Sequence, residues 1–225
     1  MPTFSKKPTF TRELPPIGTH IATCYQFIHI GTNEDSFKGE PTLFNKIRLS
    51  FELPDEMRTF GDKGEQLMSI SQEYTLSMGK KANLRKLVEG IIGTALSDGE
   101  AYAFDVESLV GMSCLVTIIH KTSQAGNVRA EISTASPLMK SQKKPAQINP
   151  SKVLSYNNFD EAFFQSLPQF IKDKIVSSAE YQEMKNPSTL TEEEKRHIKD
   201  KVELYKNLKY PEDKNSDGSE LPDAF

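Results

Sequence analysis

The sequence predicts a mainly β domain with some helix, followed by a helical extension, and two observations predict it. Long stretches alternate apolar and polar residues with the period of two that a half-buried strand requires. One internal stretch and the region after residue 158 switch instead to helical spacing. No apolar run approaches the ~20 residues of a membrane span, and the N-terminus lacks the apolar stretch of a signal peptide. The expected compartment is the cytoplasm. At 225 residues the chain is long enough for one sizeable core plus an appendage.

Residues 1–18, rich in Pro, Thr and Lys, read as an extended N-terminal arm closed by Pro15, Pro16 and Gly18. Residues 19–32 are dense in β-branched and aromatic side chains between two glycines, which predicts a long strand. A polar loop over 33–41 leads to a second strand at 42–54. There Leu43, Ile47, Leu49, Phe51 and Leu53 share one parity, and Phe44, Lys46, Arg48, Ser50 and Glu52 share the other. Residues 66–78 alternate again. Over 79–93 the period becomes helical, with Leu84, Leu87, Val88 and Ile91 on one face and Gly93 as C-cap. A short helical turn at 104–111 precedes two last strands, 112–122 and 127–138, joined by a tight turn.

Three strands, a helix and two strands are the element order of a five-stranded OB-fold, a small Greek-key barrel; a plain β-sandwich or another small α+β domain are the other readings. The predicted domain spans 19–139. A basic, proline-punctuated linker follows over 140–158, then a helical extension over 159–209. In that extension Phe163, Leu167, Phe170, Ile171 and Ile175 can line one side of a proline-interrupted helix pair, and Thr191 with Glu194 forms a capping box for a further helix. Residues 210–225 have the composition of a disordered acidic tail.

Charge is distributed unevenly. Residues 1–150 hold 17 Lys+Arg against 16 Asp+Glu, a balance of +1, whereas 151–225 hold 11 against 15, a balance of −4. The last 14 residues alone hold five acids and one lysine. The two cysteines, Cys24 and Cys114, lie in apolar strand-like runs and form neither a disulfide framework nor a metal-ligand pattern, so reduced core residues are expected.

Nothing in the sequence assembles a reaction centre. His20, His29, His120 and His197 are scattered, and no phosphate-cradling glycine loop or nucleophile elbow is present. The expectation is a non-enzymatic protein without catalytic residues, metal or cofactor. Binding has more support, because a single-strand groove needs aromatics for base stacking interleaved with Lys or Arg for phosphates. Phe44, Lys46 and Arg48 share one face of their strand and supply that combination; the other reading packs Phe44 under the N-terminal arm and leaves both cations solvated. Tyr25 is a further stacking candidate, although its parity is shared with Ile21, Thr23 and Phe27, which suits a core position equally. Lys80, Lys81 and Arg85 with Lys86 open the central helix, and Lys38, Lys121 and Arg129 lie in or beside flanking loops. Each is either solvated surface or, together with Lys140, Lys143 and Lys144, part of a path for a phosphate backbone.

The stretches GTHIATCYQFIHIGT, LFNKIRLSFELPDE, EYTLSMGKKANLRKLVEGIIG, FDVESLVGMSCLVTIIHK and NPSKVLSYNNFDEAFFQSLPQFI resemble the phage-encoded OB-fold single-stranded DNA-binding proteins over roughly residues 15–180. That resemblance implies a barrel holding single-stranded DNA with little sequence preference, in phage DNA replication, recombination or repair. The C-terminal DGSELPDAF is similar to the acidic, phenylalanine-tipped tails with which such proteins recruit partners. The matching positions are Asp217, Glu220, Leu221, Pro222, Asp223 and Phe225, with Ala224 where the family has a bulkier residue. The expected partners are therefore single-stranded DNA and, through the tail, replication or recombination proteins, with no membrane. A protein-interaction adaptor built on the barrel and a single-strand annealing factor are the alternatives.

Overall fold

The computed structural model describes residues 13–37, 40–59, 64–123 and 126–186. The expected helix at Thr191 and the acidic tail lie outside the described residues. The chain divides into two compact units. The first comprises residues 1–29 and 47–155, the second residues 30–46 and 156–225.

The fold is mainly antiparallel β with a few helices. Strands β1 (Gly18–Phe37), β2 (Glu40–Thr59) and β3 (Glu65–Thr75) are followed by helices α1 (Asn83–Ile92) and α2 (Asp98–Ala103) and a 3-10 turn at Val106–Leu109. Strands β4 (Ser113–Thr122), β5 (Val128–Pro137) and the short β6 (Lys152–Leu154) complete the sheet, and α3 (Glu161–Ser166), α4 (Gln169–Val176) and α5 (Ala179–Lys185) follow. The sheet is open, in the order β3-β2-β1-β4-β5, with β6 pairing parallel to β1. No described helix is long and apolar enough to cross a membrane.

In the first unit the predicted alternation of β2 holds on one face: Ile47, Leu49, Phe51 and Leu53 are fully buried. They meet Ala22, Cys24 and Phe27 of β1, Met68 and Ile70 of β3 and the apolar face of α1. Ala22 and Cys24 have one parity and Phe27 the other, so the alternation of β1 slips by one residue between Cys24 and Phe27, as at a β-bulge. At this slip Cys24 bonds the turn before β4, donating to Met112 O at 2.9 Å and accepting from Gly111 N at 2.7 Å. Both cysteines are free and fully buried. Burial pushes each thiol up to about 12, and at Cys24 the neighbouring Cys114 adds to the effect.

Helix α1 begins four residues later than its periodicity predicts, because Gly79–Ala82 close a turn instead. It ends at Gly93, whose left-handed backbone (φ 72°) donates to Glu89 O. Helix α2 is an element that hydrophobic periodicity does not reveal, although Ser97 and Glu100 form the capping box that starts it. Between β3 and β5 the Gln72 side chain accepts from the Ile132 N–H at 2.7 Å.

Two stretches read as loop or linker are partly strand. Residues 33–37 and 40–41 extend the β1–β2 hairpin, and 152–154 pair with Gln26–Ile28. Their polar composition hides them, since each is short or lies at the tip of a two-stranded ribbon.

The second unit is built on that hairpin tip and the three short helices, where the sequence predicts two. Phe163, Phe164, Leu167, Ile171 and Ile175 are buried, while Phe170 turns outward. Glu180 accepts from Thr32 N and Thr32 Oγ1, both at 2.7 Å, and from Asn45 Nδ2 at 3.3 Å. Gly31, at φ 92°, has no room for a side chain there, because a Cβ would lie 2.7 Å from Glu180 Oε2 and from Ser178 Cβ. Tyr156 donates to Ile30 O at 2.9 Å, and its ring stacks on Phe159.

Gly90 provides a test of the packing in the first unit. A Cβ at this position would collide with the backbone carbonyl of Ala135 in β5. Although alanine is the better helix former by roughly 1 kcal/mol, Gly90→Ala should lower stability by about 1–3 kcal/mol, read as a fall in the urea midpoint at unchanged slope.

Candidate nucleic-acid interface

The Phe44, Lys46, Arg48 series falls across the division of the chain, so its members are described separately. In the second unit Lys46 Nζ lies 5.6 Å from the Phe44 ring centroid and 2.6 Å from Asp35 Oδ2. The i, i+2 spacing on one strand brings ammonium and ring together, and the opposing hairpin strand supplies the carboxylate. In the first unit Arg48 Nη1 pairs with Glu73 Oε1 of β3 at 3.5 Å. Tyr25, half-buried, lies within the slip of β1.

Lys121 and Arg129 stand opposite each other on β4 and β5, and both reach Glu131, at 2.9 and 2.6 Å. Burial works to raise the Glu131 carboxyl, but the two cations outweigh it and hold it below its ordinary value. Lys80 is exposed and lies 3.5 Å from Asp98, whereas Lys81 is exposed with no ion pair among the described residues. The side chain of Lys38 lies outside the described residues.

Arg85 is buried, and its guanidinium donates to Glu89 Oε1 at 2.9 Å, Asp98 Oδ1 at 2.8 Å, Met78 O at 3.3 Å and Leu96 O. With its donors used inside the fold, Arg85 ties together the chain before and after α1 and is not available to a phosphate. Its fork geometry explains the choice of arginine. Both acids titrate below their ordinary values, each chiefly through its hydrogen bond from Arg85, with Glu89 also accepting from Leu96 N.

Sequence parity also misses Glu52. It shares the polar parity of β2 with Lys46, Arg48 and Ser50, yet it is fully buried. Its two oxygens accept from Ile148 N at 2.8 Å and from Asn149 N and Nδ2, both at 2.7 Å. On the same face Ser71 donates to Ser50, and Ser50 to Gln26 Oε1, at 2.9 and 3.0 Å. A segment almost a hundred residues away bonds Glu52, and local periodicity carries no trace of it. Charge alone points to the neighbouring Lys140, Lys143 and Lys144, all exposed.

Among the described residues no three metal-ligating side chains converge. No protein-family model matches the chain, and no curated protein matches it.

The Arg85 cluster makes stability depend on pH with a defined sign. Carboxyls whose folded values lie below their unfolded ones, here 3.8 for Asp98 and 4.5 for Glu89, stabilise the fold above those unfolded values. That contribution disappears as pH falls through the lowered folded values. Arg85→Ala should therefore destabilise the protein most at neutral pH, and the gap to wild type should narrow below about pH 4, measured as urea midpoints between pH 7 and pH 3.

Proposed function

We propose that the chain is a non-enzymatic single-stranded DNA-binding protein of low sequence preference, acting in phage DNA replication, recombination or repair. The observation that carries this reading is the strand order. A sheet running β3-β2-β1-β4-β5, with a helix between β3 and β4 in sequence, has the strand order expected of a five-stranded OB barrel opened between β3 and β5, which supports that reading. Gln72 bridges those two strands through a side chain instead of a ladder. The resemblance of residues 15–180 to phage single-stranded DNA-binding proteins supports the same reading.

On this reading the half-buried rings are the stacking candidates, Tyr25 in the first unit and Phe44 in the second, and phosphates meet Arg48, Lys121 and Arg129 of the first unit or Lys46 of the second after displacing the carboxylates that hold them. The proposed role of the tail, from Asp217 to Phe225, is to recruit replication or recombination proteins. An apolar pocket beside a basic residue would suit the terminal ring and carboxylate. The adaptor reading draws on the pairing of the sheet cations with acids, which weakens their pull on a polyanion.

Fluorescence anisotropy with labelled oligo-dT, duplex DNA and RNA tests the proposal. Tight binding to oligo-dT over duplex is expected, and no binding to any of the three would leave the adaptor. Glu131→Gln removes the charge that neutralises Lys121 and Arg129 and should strengthen oligo-dT binding several-fold at low salt. An unchanged affinity would put both cations away from the strand.

A further inference from the structure

We propose that the irregular segment 138–151 is the phosphate rail of this protein, supplying through Lys140, Lys143 and Lys144 the largest part of its electrostatic attraction for single-stranded DNA. The proposal rests on the DNA-binding reading and goes beyond it by moving the charge contact off the strands. Three observations carry it.

The first is the state of the lysines. Lys46, Arg48, Lys121 and Arg129 each face a carboxylate within 3.5 Å, so a phosphate binding there must displace an anion that already neutralises the site. Lys140, Lys143 and Lys144 are exposed, and no ion pair among the described residues involves them. A polyanion arriving there gains charge contacts and releases its own counterions with no carboxylate of the described residues to displace.

The second is that the segment is hydrogen-bonded at both ends although it has no helix or strand of its own. Met139 N donates to Gln142 Oε1 at 2.9 Å and Gln142 N to Met139 O at 2.8 Å, closing a turn around Lys140. Gln147 Nε2 donates to Asn149 O at 2.6 Å and to Ser151 Oγ at 3.0 Å. Structureless stretches of this length in compact domains are uncommon and are usually functional or disordered. Ordering three lysines in advance lowers the entropy lost on binding.

The third is the anchor. A carboxylate with no solvent exposure is costly unless it is fully bonded, and the donors given for Glu52 all come from Ile148 and Asn149. The fold therefore buries a charge whose described partners lie in this segment. Met139 and Ile148, 59% and 63% exposed, bracket the lysines with apolar surface that unstacked bases can cover and a duplex backbone cannot.

The experiment is a salt titration of oligo-dT binding by the full chain and by K140A/K143A/K144A. Losing three phosphate contacts should make the slope of log affinity against log salt shallower by about 2. Between about 50 and 200 mM salt the wild type should then lose roughly 20-fold more affinity than the variant. Equal slopes in a wild type that binds oligo-dT would overturn the rail while leaving the DNA-binding reading intact. A wild type that does not bind oligo-dT would overturn both. Glu52→Gln tests the anchor without touching a lysine: faster amide exchange at Ile148 and Asn149 with weaker oligo-dT binding is expected, and faster exchange with unchanged binding would overturn the preorganisation argument.

Discussion

Strand β1 has two edges and three partners, and much of the first unit follows from that mismatch. The strand order sets β2 beside β1, and the pairs His20–Glu56 and Gln26–Ser50 reach across the two strands. The other edge must therefore be shared. Strand β4 takes residues 18–23 and β6 takes residues 26–28, with the slip in alternation between them. Buried backbone groups need partners, and past the end of the β4 pairing at Ser113 the short β6 supplies them, running parallel to β1. It cannot come from a hairpin. The chain leaves β5 at Pro137 and returns through 138–151 to lay down three residues, and the lysine-bearing segment is the path of that return.

Two buried charges then serve backbone groups that no ladder reaches. Arg85 donates to the carbonyls of Met78 and Leu96, while Glu52 accepts from the amides of Ile148 and Asn149. The signs match the need: a cation meets orphaned C=O groups, an anion meets orphaned N–H groups. A neutral side chain would bond fewer of them, and an apolar one would leave them bare at a cost of about 1–3 kcal/mol each. In this unit, burial of a charged residue marks the management of irregular backbone.

That rule explains what the sequence makes legible and what it does not. The odd face of β2, the apolar stripe of α1 and both cysteines follow from local period, since each packs against neighbours that any amphipathic element must find. Glu52 and Arg85 do not. Their burial is decided by distant or irregular segments, and in sequence each looks like the polar half of an ordinary alternating strand or helix. The capping box of α2 was readable from Ser97 and Glu100, but only by searching for caps without waiting for a hydrophobic run. Strand β6 was unreadable for a different reason, because three residues cannot establish a period.

The same distinction separates the candidate binding residues. A lysine or arginine read from sequence is a unit charge, but its pull on a polyanion depends on what already stands beside it. Lys121 and Arg129 share Glu131, so the trio carries one net positive charge where the sequence suggests two. Arg48 with Glu73, and Lys46 with Asp35, are each neutral as pairs. Half-exposed pairs of this kind add little to stability, about 0–1 kcal/mol. Their larger effect is on the field, which they flatten over the paired strands. On the strands of the first unit charge is thus largely balanced, whereas Lys140, Lys143 and Lys144 add exposed positive charge with no ion pair among the described residues.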